Sequence, residues 1–218
     1  MLLTPEQRYK LDPSSDTSFY EIPRFVTHVD DSFIQQLTDL YRDRLQPQTR
    51  ILDLMSSWVS HLPDDLTFER VDGHGLNAEE LAKNPRLDHY FVQNLNENQH
   101  LPFADQSFDA VLNTVSVQYL QYPEKVFAEI YRILKPGGIA IVSFSNRMFY
   151  QKAIAAWRDN SETGRVELVK RYFRSVSGFS TPEVVERAST LPSFLQMLGV
   201  GGGDPFYAVI AERTEPLT

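Results

Sequence analysis

Residues 51–54, Ile-Leu-Asp-Leu, end a short apolar run on a carboxylate, and Met55-Ser56-Ser57-Trp58-Val59 follows. Open α/β sheets bind ligands past the carboxyl ends of their strands, so Asp53 is placed to meet one. A glycine-rich turn would let backbone approach that ligand closely, but no glycine stands there. Other chemistries are excluded more simply. The chain has no cysteine, hence no disulfide, thiolate metal site or thiol nucleophile. His61, His89 and His100 show no ligand spacing, and no metal is expected. The 29 acidic residues outweigh 21 basic ones, a net charge of −8. The nearest thing to a basic stripe, residues 165–174, reads as a solvated helix face, so nucleic acid is not an expected partner. The glycine run at 199–204 precedes a strand rather than a helix, which makes it a hairpin or connector instead of a phosphate loop.

These residues need elements to hold them. Residues 1–24 are rich in turn formers and read as an irregular arm. Phe25, Val29, Phe33, Leu37, Leu40, Tyr41 and Leu45 recur every three or four positions, which predicts an amphipathic helix ended by Pro47. Residues 51–54 then read as a first strand and 68–71 as a second. Asn77 with Glu80 predicts a capping box. Residues 90–93 and 108–113 give a third and a fourth strand. Within 122–138, Val126, Phe127, Ile130, Ile133 and Leu134 form one buried helical stripe, with Pro123 in the first turn and Pro136-Gly137-Gly138 as the stop. Residues 139–145 read as a fifth, buried strand. A helical region over 147–174, broken at 161–164, comes next, and a last strand covers 204–212. Strand–helix alternation of this kind predicts an α/β sandwich with a mostly parallel sheet. Function then rests on residues 53–58, 73–77, 93–97 and 113–119, just after the first four strands.

The segment LPFADQSFDAVLNTVSVQYLQYPEKVFAEIYRILKPGGIAIVSFSN, residues 101–146, resembles the fourth-to-fifth-strand block of class I S-adenosylmethionine-dependent methyltransferases. Their small-molecule ("type 11") branch runs roughly L-P-F-x-D-x-S-F-D and later E-x-x-R-V-L-K-P-G-G. Weaker matches extend the resemblance over residues 51–146. It implies a Rossmann-like three-layer sandwich whose seven-stranded sheet has an antiparallel last strand. It also implies one domain over 1–218, in which an arm and helix (1–46) lid the cleft of the core (47–218). S-adenosylmethionine would be the cofactor, and methyl transfer to a small molecule the activity.

The same resemblance assigns residues. The family's first motif is roughly D-x-G-x-G-x-G, and its glycines fall on Met55, Ser57 and Val59. A valine held at positive φ costs on the order of 1–3 kcal/mol, so the loop is expected to take another path. Asp53, Met55, Ser56 and Ser57 would still meet the cofactor, with Ser56 or Ser57 capping a short helix toward its carboxylate. Trp58 reads equally as pocket wall or core. The family's ribose-binding acidic residue falls on Gly75, with Asp72 and His74 nearby on either side of Gly73, and His74, Gly75 and Leu76 would meet the cofactor. Its adenine contact falls on Asn94, Asn96 or Glu97, where an amide oxygen also accepts a hydrogen bond. Asn113 and Val115 complete the cofactor set. On the acceptor side stand Tyr20 and Gln118 as catalytic candidates, and Arg24, His28, Tyr119, Asn146 and Arg147 as substrate contacts. Arg24 could grip a carboxylate or phosphate, or sit in a surface salt bridge. Tyr119 reads as cavity lining or as core. Methyl transfer is mostly alignment, so Gln118 would orient an acceptor rather than act as a base.

A second reading is a methyltransferase fold that binds without turnover and serves as a binding or regulatory module; the altered first motif favours it. A nicotinamide-dependent reductase lacks its G-x-G-x-x-G turn here. No apolar run approaches a membrane span, so a soluble, cytoplasmic protein with a small-molecule partner and no membrane contact is expected.

Overall fold

The computed structural model describes residues 2–187 and 203–214. Chain order runs α1 (Asp16–Phe19), α2 (Asp31–Arg44), β1 (Arg50–Leu54), β2 (Arg70–Gly75), α3 (Ala78–Lys83), β3 (His89–Val92) and β4 (Phe108–Thr114). It continues through α4 (Pro123–Ile133), β5 (Leu134–Phe144), α5 (Ala155–Arg158), α6 (Glu162–Arg174), β6 (Glu183–Arg187) and β7 (Phe206–Glu212). The seven strands form one sheet in the order β3-β2-β1-β4-β5-β7-β6. β1 to β5 pair in parallel, and β7 runs antiparallel to both β5 and β6. This is the sheet the resemblance implied. Its order reverses between β1 and β4, which opens a crevice at their carboxyl ends.

Both faces of the sheet are covered, which is why its central strands are apolar throughout. On one face α2 lays Phe33, Leu37, Leu40 and Tyr41 against Ile51, Leu112, Ile141 and Ile210. On the other, α4 and α6 pack Phe127, Ile130, Ile133, Val169 and Phe173 over Leu52, Val111, Ala140 and Val142. Each fully buried side chain of this kind contributes roughly 1.5–3 kcal/mol. The stripe and the Pro123 start expected of α4 are present.

Four expectations are corrected. α2 begins only at Asp31, because the Asp30 carboxylate accepts from Phe33 N and caps it; Phe25 and Val29 belong to the arm. β2 lies at Arg70–Gly75 rather than 68–71. It is poor in strand formers because its residues answer to distant partners: Asp72 is fully buried between Arg50 and Arg70. Residues 147–154 are not helical, and the break falls at 159–161, where the Ser161 hydroxyl caps α6. No helix follows β1. Residues 55–69 run irregularly to β2, so neither Ser56 nor Ser57 caps one. Most of the glycine run at 199–204 lies outside the described residues.

The arm is bound to the core by a buried ionic cluster. Lys152, whose side chain is wholly inaccessible, donates to Ser14 O (2.8 Å) and Ser14 Oγ (3.0 Å) and pairs with Asp12 at 3.0 Å. Lys10 pairs with Asp16 at 2.6 Å. Burial lowers the pKa of Lys10 while Asp16 opposes that shift. Removing one partner from a buried pair strands the other charge, which costs about 3–5 kcal/mol. Lys152→Met is therefore expected to lower the melting temperature by ~6 °C or more. It should also make residues 10–20 sensitive to limited proteolysis, and an unchanged melt would count against the anchoring role.

Candidate functional site

A cavity of about 300 Å³ opens at the carboxyl ends of β1, β2, β3 and β4 and is roofed by the arm. That volume falls within the usual range of small-ligand sites. β1 brings Asp53, and the loop after it Met55, Ser56, Ser57, Trp58 and Ser60. β2 brings His74 and Gly75, followed by Leu76, with Asn94 and Asn96 from beyond β3. Val115, Ser116 and Tyr119 follow β4, and Arg147 and Phe149 follow β5. From the arm come Asp16, Tyr20, Arg24 and His28. Three sequence-predicted residues do not line the cavity. Gln118 is buried and donates to Val115 O (2.9 Å), Asn113 donates to Leu54 O (3.1 Å), and Asn146 is exposed at the surface. Gln118 therefore steadies the turn after β4 and is not placed to touch an acceptor.

The first-motif loop keeps one feature of its glycine-rich counterpart. Met55, in the first glycine's place, has φ +61°, while Ser57 and Val59 are not left-handed. The chain then leans toward β2: Met55 N donates to His74 Nδ1 (3.1 Å) and Ser56 N to His74 O (2.6 Å). This approach requires Gly75, where a Cβ would stand 2.6 Å from Ser56 O. The position of the family's ribose carboxylate is thus occupied by loop backbone. His74 is locked, since Nε2 meets Gln93 O at 2.8 Å, and burial pushes its pKa down to about 4, keeping the ring neutral. Val115, at φ +49°, holds a strained backbone facing the cavity.

Asp53 is 4% exposed and accepts from Ser56 Oγ at 2.6 Å. Burial pushes its pKa up to about 6, with the Ser56 and Ser60 hydroxyls opposing. Asn94 and Asn96 are already engaged. Asn94 Nδ2 donates to Glu97 and its Oδ1 accepts from Asn96 N, while Asn96 Nδ2 serves Asp16 and Tyr119 O and its Oδ1 accepts from Gln121 N. Tyr119 is both core and lining: its hydroxyl accepts from Phe149 N (2.8 Å), and burial raises its pKa to about 12. Burial also raises Tyr20, which keeps its proton. Trp58 is pocket wall, donating to Val26 O at 3.1 Å. Arg147 pairs with Asp204 at 2.6 Å.

Two residues that the sequence reading missed complete the site. Glu80 is read from sequence only as a capping partner, but Asn77 alone caps α3. The Glu80 carboxylate instead accepts from Ser57 Oγ (2.6 Å) and Arg24 N (2.7 Å), joining loop, helix and arm. Asp16 reaches the cavity from the arm, and its Oδ1 accepts no hydrogen bond. A carboxylate at the first turn of α3 was the one available signal, and its second use depends on the arm folding back.

An acidic residue at the end of β1, a crevice at the reversal of strand order and an antiparallel β7 define the class: an α/β fold built to hold a nucleoside-type cofactor. The family whose model is described as "Methyltransferase domain" matches residues 68–142. Over those residues the chain is similar in sequence to methyltransferases, and its fold is similar to that of S-adenosylmethionine-dependent members of the group. A bifunctional biotin-biosynthesis protein, BioHC, of Teredinibacter turnerae is 36% identical over 133 residues, 61% of this chain and 21% of that protein. The sterol 24-C-methyltransferase erg6 of Schizosaccharomyces pombe is 31% identical over 108 residues, 45% of this chain and 28% of its own length. The chain thus spans a fifth to about a third of the curated relatives it matches. Among solved structures, phosphoethanolamine N-methyltransferase 2 of Haemonchus contortus, in complex with S-adenosyl-L-methionine, superposes with a TM-score of 0.55 at 19% identity. That match covers 83% of this chain and 52% of the other. The [4+2]-cyclase SpnF gives 0.58 at 19% identity over 83% of this chain and 81% of its own. At that identity both speak to the fold alone. No helix among the described residues is long and apolar enough to cross a membrane.

Proposed function

We propose that this protein transfers a methyl group from S-adenosylmethionine to a small-molecule acceptor. The observation that carries the reading is Asp53, a buried carboxylate on a ligand-sized cavity at the β1/β4 reversal. The residues present fit the cofactor. Asp53 would hold its ammonium group. Among the described residues, the backbone N–H groups of 57–62 donate to no other backbone group, and residues 57–60 line the cavity. Such unpaired amides suit a carboxylate in place of a helix N-terminus. Glu80, which lines the cavity from the first turn of α3, would offer a carboxylate where Gly75 has none. Ser116 Oγ, buried without a partner, offers one more hydrogen bond to a ligand.

When bound, the cofactor would supply an activated methyl group, the C–S bond breaking with its electron pair kept by sulfur as an acceptor lone pair bonds to the carbon. This chain's part is to align and to exclude water. Tyr20 and Tyr119 keep their protons and act as donors. His28 packs edge-on to Phe149 at 5.3 Å, and partial burial lowers its pKa, so it is neutral at pH 7 and able to take a proton from an acceptor that must lose one.

Isothermal titration with S-adenosylhomocysteine tests the reading. Micromolar binding is expected; a folded protein that does not respond to millimolar ligand would leave only the fold.

A further inference from the structure

We propose that Arg24 receives an anionic group, a carboxylate or phosphate, carried by the methyl acceptor; this rests on the methyl-transfer reading above. Arg24 stands on the cavity wall as a cation without an anion. Its Nη2 donates to Phe19 O at 2.9 Å, while Nη1 is buried and has no hydrogen-bond partner. Among the described residues no carboxylate lies within salt-bridge distance of the guanidinium. Glu80, on the same cavity, already accepts Arg24's own backbone N–H and the Ser57 hydroxyl.

The guanidinium sits instead among rings, 4.7 Å from the centre of Phe19, 5.6 Å from Tyr20 and 5.5 Å from Phe149. Aromatic faces attract the charge and fix the plane of the fork, but they leave Nη1 without the acceptor that a buried donor needs. A planar fork held in apolar surroundings fits the two oxygens of a carboxylate or phosphate. The backbone of Arg24 is pinned by Glu80, and the preceding turn by Asn77 Nδ2, which donates to Tyr20 O and Glu21 O. The fork is therefore set before any ligand arrives.

Its surroundings assign the anion to the acceptor rather than the cofactor. Phe149 lies beyond β5 and is tied to Tyr119 beyond β4, so Arg24 faces that half of the cavity. The cofactor's carboxylate and ammonium share one carbon and belong beside Asp53 and the unpaired loop amides on the β1 side. The acceptor is thus read as an apolar body with an acidic end.

The test compares benzoate and phenyl phosphate with benzamide, similar in shape but uncharged, by ligand-observed NMR on protein saturated with S-adenosylhomocysteine. Wild type is expected to bind one of the two anions at least tenfold more tightly than benzamide, and the tighter one names the group. Arg24→Gln should lose that preference and Arg24→Lys should keep part of it; if the glutamine variant fails to fold, the lysine variant's reduced preference decides. Equal binding of all three probes, no binding of any, or a preference that survives in Arg24→Gln overturns the proposal. So does a loss of S-adenosylhomocysteine affinity in Arg24→Gln with the anion preference intact, which gives Arg24 to the cofactor. Repeating the comparison without S-adenosylhomocysteine separates the two readings. A preference that needs Arg24 in a protein that does not bind S-adenosylhomocysteine leaves the anion site standing and removes only methyl transfer.

Discussion

Asp53→Asn is expected to weaken S-adenosylhomocysteine binding about a hundredfold at pH 8, ~2.7 kcal/mol, because the ligand's ammonium loses the counter-charge beside it. The same variant should melt higher than wild type at pH 8, by ~3 °C, since burying an ionised carboxylate costs stability. The sign follows from linkage. Asp53 titrates at about 6 in the folded chain against 3.8 as the reference value. The folded state therefore holds a proton between those values that the unfolded state has released, and stability falls as pH rises through that window. Binding runs the other way. A cationic ligand needs the carboxylate, so wild-type affinity should be flat above pH 6 and drop about tenfold per unit below it, meeting the variant near pH 4. The groups touching Asp53 do not titrate in this window, since they are the Ser56 and Ser60 hydroxyls and burial raises Tyr41 far out of range, while His74, pushed down to about 4, enters only at its low end. Titrations at pH 5, 6 and 8 check it. A flat wild-type profile, or equal affinities of wild type and variant, would remove Asp53 from the site.

The second large effect is at Gly75. Restoring the family's residue type with Gly75→Asp should destabilise the protein by ~2 kcal/mol or more, as overpacking does. The new Cβ would stand 2.6 Å from Ser56 O, a backbone atom fixed by the Ser56 N–His74 O bond, with Leu81 methyl groups at 3.3 and 3.4 Å behind it. Gly73→Ala meets only the movable end of Leu87 and should cost less. Urea denaturation of the two variants decides it; a Gly75→Asp protein as stable as wild type would mean the loop moves freely. If it does not, the loss of the glycines after β1 and of the carboxylate after β2 are one structural change.

That coupling explains what could be read from the chain. The block from β4 to β5 is legible because its apolar stripe and proline start are local signals that agree, although the helix ends at Ile133 and Leu134 with the expected stop at 136–138 lies in β5. β2 is not, because Asp72, Gly73 and Gly75 are chosen for Arg50, Leu87 and Ser56, all remote in sequence. The missing helix after β1 leaves no local trace either, since serines before an apolar residue also begin helices. Asp53 was visible from its own neighbours. Asp16 and Glu80 acquire their roles only when the arm, anchored through Lys152 some 140 residues away, closes over α3.

The irregular path after β1 also gives the site a built-in reporter. Among the described residues the N–H groups of 57–62 make no backbone bonds, whereas β1 and its neighbour β4 lie in the middle of the sheet. In deuterated water the loop should therefore exchange in seconds while its flanking strands hold their protons for hours. A ligand carboxylate seated on those amides would slow exchange across one short peptide and nowhere else, so mass spectrometry could detect occupancy without a known acceptor.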